Sequence, residues 1–481
     1  MTAQRIGLFL GPLAFALAPL VPAPGGMEQE AWLVAGLVIW MAAWWMTEAV
    51  PLPVTALLPF VGLPLFGIMT ARETASAYYA PILFLLLGGA FIALAIERTG
   101  LHRRLSLAIL KAIGSGGGQV RLLFAFMISA AILSGLISNT STTLIMMPMA
   151  LAVLAGGASL QSADGPIDTN GIYGALPMGI AFAATIGGLG TIVGSPTNGI
   201  AVQLLDDMIG LEISFAQWMI FGLPIVLIGV PLACMVIARV QKITAHPFDV
   251  AAARAAIETQ TAWTPAEKRL VPIIAITFFL WMTRRWVAPY LPEGSWTDGT
   301  IAVIAALYLF LLPDGSNEGG KMRPLLSWKE ADRAPWGVIL MFGGGLALAA
   351  GMQSSGLADW LGQSLLPLET LPLFIVALAV VAMVVLVTEF ASNVATASAI
   401  IPVVASLAAG LGLGEAAILI AMPAALAASW GFILPAGTGP NAIAWSTGRL
   451  RIEKLVRAGL VLDILGIFLI VALVWAMAAL V

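Results

Sequence analysis

The stretch Ser134-Gly-Leu-Ile-Ser-Asn-Thr-Ser-Thr-Thr143 places small hydroxyl and amide side chains in the middle of an otherwise apolar run. A second stretch of the same kind, Thr388-Glu-Phe-Ala-Ser-Asn-Val-Ala-Thr396, follows much later in the chain. In both, a proline comes nine positions after the asparagine, at Pro148 and Pro402. Irregular backbone inside a bilayer is tolerated only where it is buried in protein or lines a wet cavity. In a membrane protein, two matched polar breaks therefore predict the two halves of one binding site.

The composition indicates an integral membrane protein. Of the 481 residues, 60% are hydrophobic and only 10% are charged, which is too little charge to cover the surface of a soluble domain of this size. The net charge of −3 argues against a nucleic-acid partner. The single cysteine, Cys234, and the two histidines, His102 and His246, are far apart in sequence and predict neither a disulfide nor a metal cluster.

We predict an all-α membrane fold of about eleven transmembrane helices and two re-entrant hairpins. The hairpins are expected in 122–155 and 371–408, because each apolar run is long enough for two short helices but is interrupted by the polar break. We interpret the first apolar run as a retained helix rather than a cleaved signal peptide. The spans, of about 20 apolar residues each, are expected at 5–22, 31–49, 51–68, 81–97, 172–205, 216–238, 270–290, 299–313, 336–352, 416–447 and 458–481.

The placement of positive charge predicts the orientation. With a cytoplasmic N-terminus and hairpins that cross nothing, 19 of the 22 Lys and Arg residues fall on the inside, as the positive-inside rule requires. Arg72, Arg284 and Arg285 remain outside. We therefore expect an inner-membrane protein with its N-terminus in the cytoplasm and its C-terminus outside. Besides the N-terminus, the inside connections are 98–121, 239–269, 314–335 and 448–457.

The order of the motifs predicts two inverted repeats. Pro81 and Pro335 each open a glycine-rich apolar run, and a Ser-Asn break follows each. Gly194-Ser-Pro-Thr-Asn198 and Gly437-Thr-Gly-Pro-Asn441 then close the two units. Inverted repeats with paired interruptions are typical of secondary transporters, whose substrate site lies at the repeat interface. The expected parts are N-terminal scaffold helices 1–80, a first repeat 81–238, a cytoplasmic linker 239–269, scaffold helices 270–334 and an inverted second repeat 335–481.

The chemistry of the breaks favours Na⁺ and an anion. Free carbonyls at helix C-termini attract a cation, and free N–H groups at helix N-termini attract an anion. Asparagine, serine and threonine offer oxygen ligands without a fixed charge, which suit Na⁺ better than a divalent ion. None of the breaks contains Arg, Lys or His, so co-bound cations and helix dipoles would have to neutralise an anion. Cation binding then becomes a precondition for anion binding, which is the basis of symport.

Plainer interpretations exist for the same residues. Ser and Thr in membrane helices often bond back to the preceding turn, and small residues often mark close helix packing. Two acids, Glu48 and Glu389, are candidates for a functional role because acids inside a membrane are rare. We expect Glu48 to be structural, since it is near a helix end, and Glu389 to orient backbone rather than to transfer protons.

Five motifs together resemble the divalent anion/sodium symporter family over nearly the whole chain. The resemblance implies a homodimer with a scaffold domain and a transport domain that moves like an elevator. It also implies transport of C4-dicarboxylates, citrate or sulfate, usually with Na⁺ and in some members by exchange. The motifs are Trp45-Met-Thr-Glu-Ala-Val-Pro-Leu-Pro-Val-Thr55, Ile137-Ser-Asn-Thr-Ser-Thr142, Gly187-Gly-Leu-Gly-Thr-Ile-Val-Gly-Ser-Pro-Thr-Asn198, Thr388-Glu-Phe-Ala-Ser-Asn-Val-Ala-Thr396 and Pro435-Ala-Gly-Thr-Gly-Pro-Asn441.

The resemblance also implies the site residues. The first sodium site would use Ser134, Ser138, Asn139 and Gly194, and the second would use Thr388, Ala391, Asn393 and Gly437. The anion would be bound by Ser138, Asn139, Thr140, Ser195, Pro196, Ser392, Asn393, Val394, Thr438 and Gly439. Two positions depart from the family pattern: Val394 stands where many members have threonine, and Gly439 replaces a proline seen in others.

We therefore predict Na⁺-coupled symport of a small dianion such as succinate, malate or fumarate across the lipid bilayer. A dicarboxylate exchanger, or a citrate or sulfate carrier on the same scaffold, is the alternative transporter. An enzyme is disfavoured because His, Cys and acidic residues do not cluster. A channel is disfavoured because the predicted symmetry is inverted within one chain rather than arranged around a pore.

Overall fold

A computed structural model of the chain describes residues 3–114, 117–157, 169–255, 262–318, 321–435 and 437–480. Within these residues the fold is helical, and ten helices are long and apolar enough to cross a bilayer. This confirms the predicted multi-pass helical membrane fold. The number of crossings and the side on which each connection lies stay predictions.

The N-terminal part begins with two long helices that pack against each other and continues with three short ones. The segment predicted as a span over 51–68 is two short helices with an interruption at Ala56-Leu57, and its crossing of the bilayer stays a prediction. Prolines crowd this segment, and the free carbonyl of Ala56 accepts a hydrogen bond from the Tyr78 hydroxyl at 2.6 Å. The helices are α1 (Ala3–Leu17), α2 (Gln29–Thr47), α3 (Leu52–Thr55), α4 (Leu58–Leu65) and α5 (Ala71–Ala77). Glu48 ends α2 in a left-handed conformation, and its structural role stays a prediction.

The first half of the site is built by seven helices. The segment predicted as the first hairpin is two helices, α8 and α9, which break at Gly135–Ser138, and its re-entrant course stays a prediction. The predicted span 172–205 is two helices separated at 189–195. The amphipathic connection Leu101–Gly114 is also helical and forms α7. The helices are α6 (Ile82–Thr99), α7 (Leu101–Gly114), α8 (Gln119–Ser134), α9 (Asn139–Gly157), α10 (Ile172–Gly188), α11 (Pro196–Ile209) and α12 (Phe215–Val240).

The middle of the chain contains a small antiparallel β-hairpin that the sequence did not predict. Its strands and the connection after them are fastened to the end of α6 by Arg98, which bonds to Asp314 and to Glu330 at 2.9 Å. Burial acts to raise the pKa of Glu330, yet hydrogen bonds from Ser327 and the charge of Arg98 outweigh it, so its pKa lies below the usual value. The elements are α13 (Val250–Ala255), α14 (Pro265–Val287), α15 (Asp298–Leu311), β1 (Pro313–Glu318), β2 (Lys321–Pro324) and α16 (Trp328–Ala331).

The second half repeats the element order of the first: a long helix, a short helix, a broken hairpin, a broken helix and a long terminal helix. The hairpin breaks at Ala391-Ser392, between α19 and α20. The helices are α17 (Trp336–Ser354), α18 (Leu357–Ser364), α19 (Leu373–Phe390), α20 (Asn393–Gly410), α21 (Ile418–Ala427), α22 (Gly439–Ser446) and α23 (Ile452–Ala478).

The two halves exchange packing partners. Helix α11 of the first half packs on α20 of the second, and α22 of the second half packs on α9 of the first. One continuous hydrophobic core includes buried residues of both halves, such as Phe182 and Phe432, whose rings lie 4.8 Å apart. Reciprocal contacts of this kind are what a two-fold relation between the halves would produce. They bring all four breaks to one place.

Candidate functional site

Four helices begin at a common cavity. They are α9 at Asn139, α11 at Pro196, α20 at Asn393 and α22 at Gly439, and the cavity has a volume of about 480 Å³. The first N–H groups of a helix have no partner within the helix, and together they give its N-terminus a partial positive charge. Four such ends around one cavity form an environment that favours an anion without any Lys or Arg at the breaks.

All ten residues predicted to bind the anion line this cavity. The remaining lining includes two charged residues, Glu97 and Arg333, which lie together at 3.9 Å near its other end. That end is at the protein surface, since 39% of the Glu97 side chain and 56% of the Arg333 side chain are exposed. The ten residues are Ser138, Asn139, Thr140, Ser195, Pro196, Ser392, Asn393, Val394, Thr438 and Gly439.

Oxygens converge at the first break. The side-chain amide of Asn139 has one terminal atom 2.6 Å from Ser134 Oγ, 3.2 Å from Ala184 O and 3.1 Å from Gly194 O. If the amide nitrogen occupies that position, it donates to all three. If the amide oxygen occupies it, it accepts from the Ser134 hydroxyl at 2.6 Å, and the carbonyls of Ala184 and Gly194 face it without a donor, an environment that favours a cation. Asn139 can thus satisfy the same pocket with or without a bound cation.

The loop between α10 and α11 is tied to this break by neutral groups. Thr191 Oγ1 donates to Gly135 O at 2.7 Å and accepts from Gly194 N at 3.0 Å. Asn198 Nδ2 donates to Gly188 O and to Thr191 O, both at 2.8 Å. These bonds fix the backbone of Gly194 beside the hairpin.

The second break has a corresponding arrangement. Thr388 Oγ1 lies 3.0 Å from Asn393 Oδ1 and donates to Ala428 O at 2.7 Å. Ser392 caps the N-terminus of α20, since its Oγ accepts from Ala395 N at 3.2 Å. Thr388 is fully buried, as Ser134 is at the first break. The hydroxyl five residues before the asparagine is therefore a shared feature of both halves.

A carboxylate ties the second loop to its hairpin. Glu389 is 3% exposed, and its oxygens accept hydrogen bonds from Ile433 N and Leu434 N at 3.0 Å. Asn441 Nδ2 donates to Leu434 O at 3.2 Å, which matches the bond from Asn198 in the first half. Glu389 thus orients backbone, as expected. The loop it holds leads to Gly437.

The two halves meet at Thr140 and Gly439. A Cβ atom added to Gly439 would lie 2.5 Å from Thr140 Oγ1, so the absence of a side chain allows this close approach. Thr438 caps α22, because its Oγ1 accepts from Asn441 N at 3.2 Å. The glycine that departs from the family pattern is therefore a contact between the two half-sites.

The residues predicted for the sodium sites surround the two breaks. A Cβ atom on Gly194 would lie 3.0 Å from Ser134 O, and one on Gly437 would lie 3.3 Å from Glu389 O. Ala391 is the extended residue that ends α19. Several groups at the breaks were not predicted as site residues, although three of them, Thr191, Asn198 and Asn441, lie within the quoted motifs. The full set is Ala184, Thr191, Asn198, Ala428 and Asn441.

Paired broken helices around a central polar cavity define the class of secondary membrane transporters. The family model described as the sodium:sulfate symporter transmembrane region matches residues 3–481, and the chain belongs to this family. The resemblance stated from the motifs is thereby confirmed.

Curated relatives extend along almost the whole chain. It is 36% identical over 477 residues to the sodium-dependent dicarboxylate transporter SdcS of Staphylococcus saprophyticus, which covers 98% of this chain and 91% of that protein. The same transporter of Staphylococcus aureus strain MRSA252 is 36% identical over 479 residues, with the same coverage.

Two solved structures share the fold. The Alcanivorax borkumensis YdaH transporter superposes with a TM-score of 0.59 at 14% identity, covering 100% of this chain and 98% of that one. Neisseria gonorrhoeae MtrF gives a TM-score of 0.52 at 12% identity, covering 98% and 94%. At these identities the likeness concerns the fold alone.

Proposed function

We propose that this protein is a secondary active transporter that carries C4-dicarboxylates such as succinate, malate and fumarate together with Na⁺. The observation that supports this best is the cavity at which α9, α11, α20 and α22 all begin, with oxygen clusters beside it at Asn139 and Asn393. The relatives named as sodium-dependent dicarboxylate transporters support the choice of cation and substrate class.

The anion is bound by neutral groups and helix ends. One carboxylate interacts with Ser138, Asn139 and Thr140 at the start of α9, and the other with Ser392 and Asn393 at the start of α20. The hydroxyls and amides donate hydrogen bonds to the carboxylate oxygens. The helix N-termini offset part of the negative charge.

Sodium supplies the remaining positive charge. The first ion is bound by Ser134, Ser138, Asn139 and Gly194, and the second by the corresponding residues of the second half. A dianion in a cavity without a fixed cation is costly because burying unpaired charge is unfavourable. Na⁺ bound at each break lowers that cost, so the two binding events favour each other and symport results. The second set is Thr388, Ala391, Asn393 and Gly437.

The transport cycle follows an elevator motion of the two hairpins and broken helices against a scaffold. The cavity extends from the breaks to Glu97 and Arg333, which the charge distribution assigns to the cytoplasmic side. If the predicted orientation holds, a cavity that reaches Glu97 and Arg333 opens to the cytoplasm. The scaffold comprises 1–80 and 270–334 and mediates a homodimer in the inner membrane, with the N-terminus in the cytoplasm and the C-terminus outside.

Uptake by proteoliposomes tests the proposal. Radiolabelled succinate should accumulate when an inward Na⁺ gradient is imposed and should not accumulate when choline replaces Na⁺. Equal uptake in the two buffers would reject the coupling to Na⁺. Liposomes without protein give the background.

Sulfate is the second candidate substrate, because the matching family model is described by sodium:sulfate symport. Unlabelled sulfate or citrate in tenfold excess over labelled succinate would identify it by competition. Counterflow of succinate without a Na⁺ gradient would instead favour the exchanger. Succinate uptake that sulfate and citrate leave unchanged supports the dicarboxylate.

A further inference from the structure

A second buried acid lies beside Glu389. Asp463 is in the middle of α23, is 3% exposed, and faces the carboxyl of Glu389 and the backbone of Phe432. Neither of its oxygens accepts a well-formed hydrogen bond from any residue that the structure describes. A buried carboxylate without donors is strongly disfavoured. Asp463 therefore needs an explanation that the binding of substrate and Na⁺ does not give.

The first half has no acid at the corresponding positions. Gly222 of α12 lies against the Leu189 carbonyl, and Gly459 of α23 lies against the Phe432 carbonyl in the same way. Counting four residues onward from each glycine places Val226 where the second half has Asp463. The residue after Ser134 in the first half is Gly135, whereas the residue after Thr388 in the second half is Glu389. The two acids are thus a matched addition to the second half.

Hydrogen-bond chemistry assigns the proton between them. Glu389 accepts from two backbone N–H groups, so its carboxylate is already supplied with donors. Only a protonated carboxyl group can donate, and two carboxyl groups in contact away from water hold one proton between them. Asp463, which lacks donors of its own, is the group that carries it.

We propose that Asp463 is a positioning residue for the second cation-binding loop. As a neutral acid it donates a hydrogen bond to the Glu389 carboxylate, which in turn holds the N–H groups of Ile433 and Leu434. Leu434 O accepts from Gly437 N at 3.3 Å and from Asn441 Nδ2 at 3.2 Å, so the shape of the loop depends on this residue. The terminal helix thereby fixes the backbone at Gly437, a proposed ligand of the second Na⁺.

The proposal predicts a selective effect on Na⁺. It rests on the proposed function, and it deepens it by naming a residue outside the site that sets the Na⁺ requirement. Without a hydrogen-bond donor at position 463, the Glu389 carboxylate loses one partner. The backbone at Ile433 and Leu434 is then held less firmly. The half-saturating Na⁺ concentration should rise, whereas the KM for succinate at saturating Na⁺ and the maximal rate should change little.

The test compares Asp463→Leu with Asp463→Asn in proteoliposomes. Leucine has a similar volume but no donor, and we expect the half-saturating Na⁺ concentration for succinate uptake to rise about tenfold, the lower end of the scale of one lost hydrogen bond to a charged group. Asparagine keeps an N–H donor and should stay within about twofold of the wild type. Val226→Leu, at the corresponding position of the first half, is the matched control and should leave the Na⁺ dependence unchanged.

A second readout separates this inference from the proposed function. Ligand binding to the folded state raises its thermal stability, so Na⁺ should raise the Tm of the purified protein, with choline as the control. The half-effective Na⁺ concentration should shift for Asp463→Leu and not for Asp463→Asn. A wild type that Na⁺ stabilises but that does not take up succinate would refute the proposed substrate and still test Asp463.

Three results would overturn the inference. One is a wild-type Na⁺ dependence in Asp463→Leu, and another is an equal shift in the leucine and asparagine variants. The third uses Glu389→Gln, should Asp463→Leu not fold in its own right. Because both residues act through one hydrogen bond, Asp463→Ala, which also removes the donor, should have no further effect in a Glu389→Gln background, and an additive shift contradicts the proposal.

Discussion

The two halves of the site hold their loops in the same geometry with different chemistry. In each, an asparagine of the broken helix donates to a loop carbonyl, Asn198 to Thr191 and Asn441 to Leu434. The bond between loop and hairpin differs. A threonine hydroxyl of the loop donates to the Gly135 carbonyl in the first half, whereas the Glu389 carboxylate of the hairpin accepts from loop N–H groups in the second.

This difference shows that one architecture is stabilised by a neutral bond on one side and by a charge on the other. A bond to a charged group is stronger than one between neutral groups, but a buried charge is costly when its partner is removed. We therefore expect the second half to resist distortion more firmly and to tolerate mutation less. Variants of the residues that the two halves share, and of those that differ, test this contrast.

The largest effect is expected from the asparagine that both halves share. Asn139→Ala and Asn393→Ala should each reduce Na⁺-driven succinate uptake to the level of empty liposomes. Each change removes an amide that serves the cation cluster and begins a helix at the cavity. Gln353→Ala, which removes an amide outside the cavity that bonds to Asp207 O, is the control and should retain uptake. Substantial transport by either asparagine variant would contradict the two-site arrangement.

The next largest effect should distinguish the two loop bonds. Glu389→Gln should raise the half-saturating Na⁺ concentration by about tenfold or more, the scale of hydrogen bonds to a charged group. Thr191→Val removes a neutral bond and should raise it by about two- to tenfold. The comparison is made on initial rates of succinate uptake at varied Na⁺ and constant ionic strength with choline. A larger effect of Thr191→Val than of Glu389→Gln would contradict the prediction that the Glu389 carboxylate holds its loop more strongly.

The sequence predicted the parts of the site that are local and missed those that depend on tertiary packing. Polar residues within an apolar run identified both breaks, and the order of the motifs identified their pairing. The bond of Thr191 to Gly135 and the contact of Asp463 with Glu389 join residues far apart in sequence, so no local pattern reports them. Asp463 was simply part of the predicted span 458–481.

The interruption within 51–68, which was not predicted, has a physical cause of the same kind. This segment was predicted as a span from its hydrophobicity alone, although its prolines favour an interrupted helix. Its break at Ala56 is stabilised by the Tyr78 hydroxyl and by the close approach of Gly344, both distant in sequence. Irregular backbone becomes acceptable only once such partners are present.

A smaller effect is expected where the two halves touch. Gly439→Ala introduces a methyl group 2.5 Å from Thr140 Oγ1, and Thr140 can relieve part of the clash by rotating. The KM for succinate should rise about fivefold, corresponding to the lower end of the cost of overpacking, about 1 kcal/mol. In a Thr140→Ala background, which leaves room for the methyl group, the same change should have little further effect. Equal effects in both backgrounds would show that the contact does not matter for binding.

The smallest effect concerns the side chains that follow the two asparagines, Thr140 and Val394. Both line the cavity, but only Thr140 has a hydroxyl to donate to a carboxylate. Val394→Thr should lower the KM for succinate about two- to threefold, and Thr140→Val should raise it by a similar factor, since the lower end of the contribution of a neutral hydrogen bond is about 0.5 kcal/mol. Val394→Ala, which alters size without adding a donor, is the control and should not lower the KM. If Val394→Thr leaves the KM for succinate unchanged but lowers the inhibition constant of sulfate, the hydroxyl at this position selects the anion rather than strengthening the binding of all dianions.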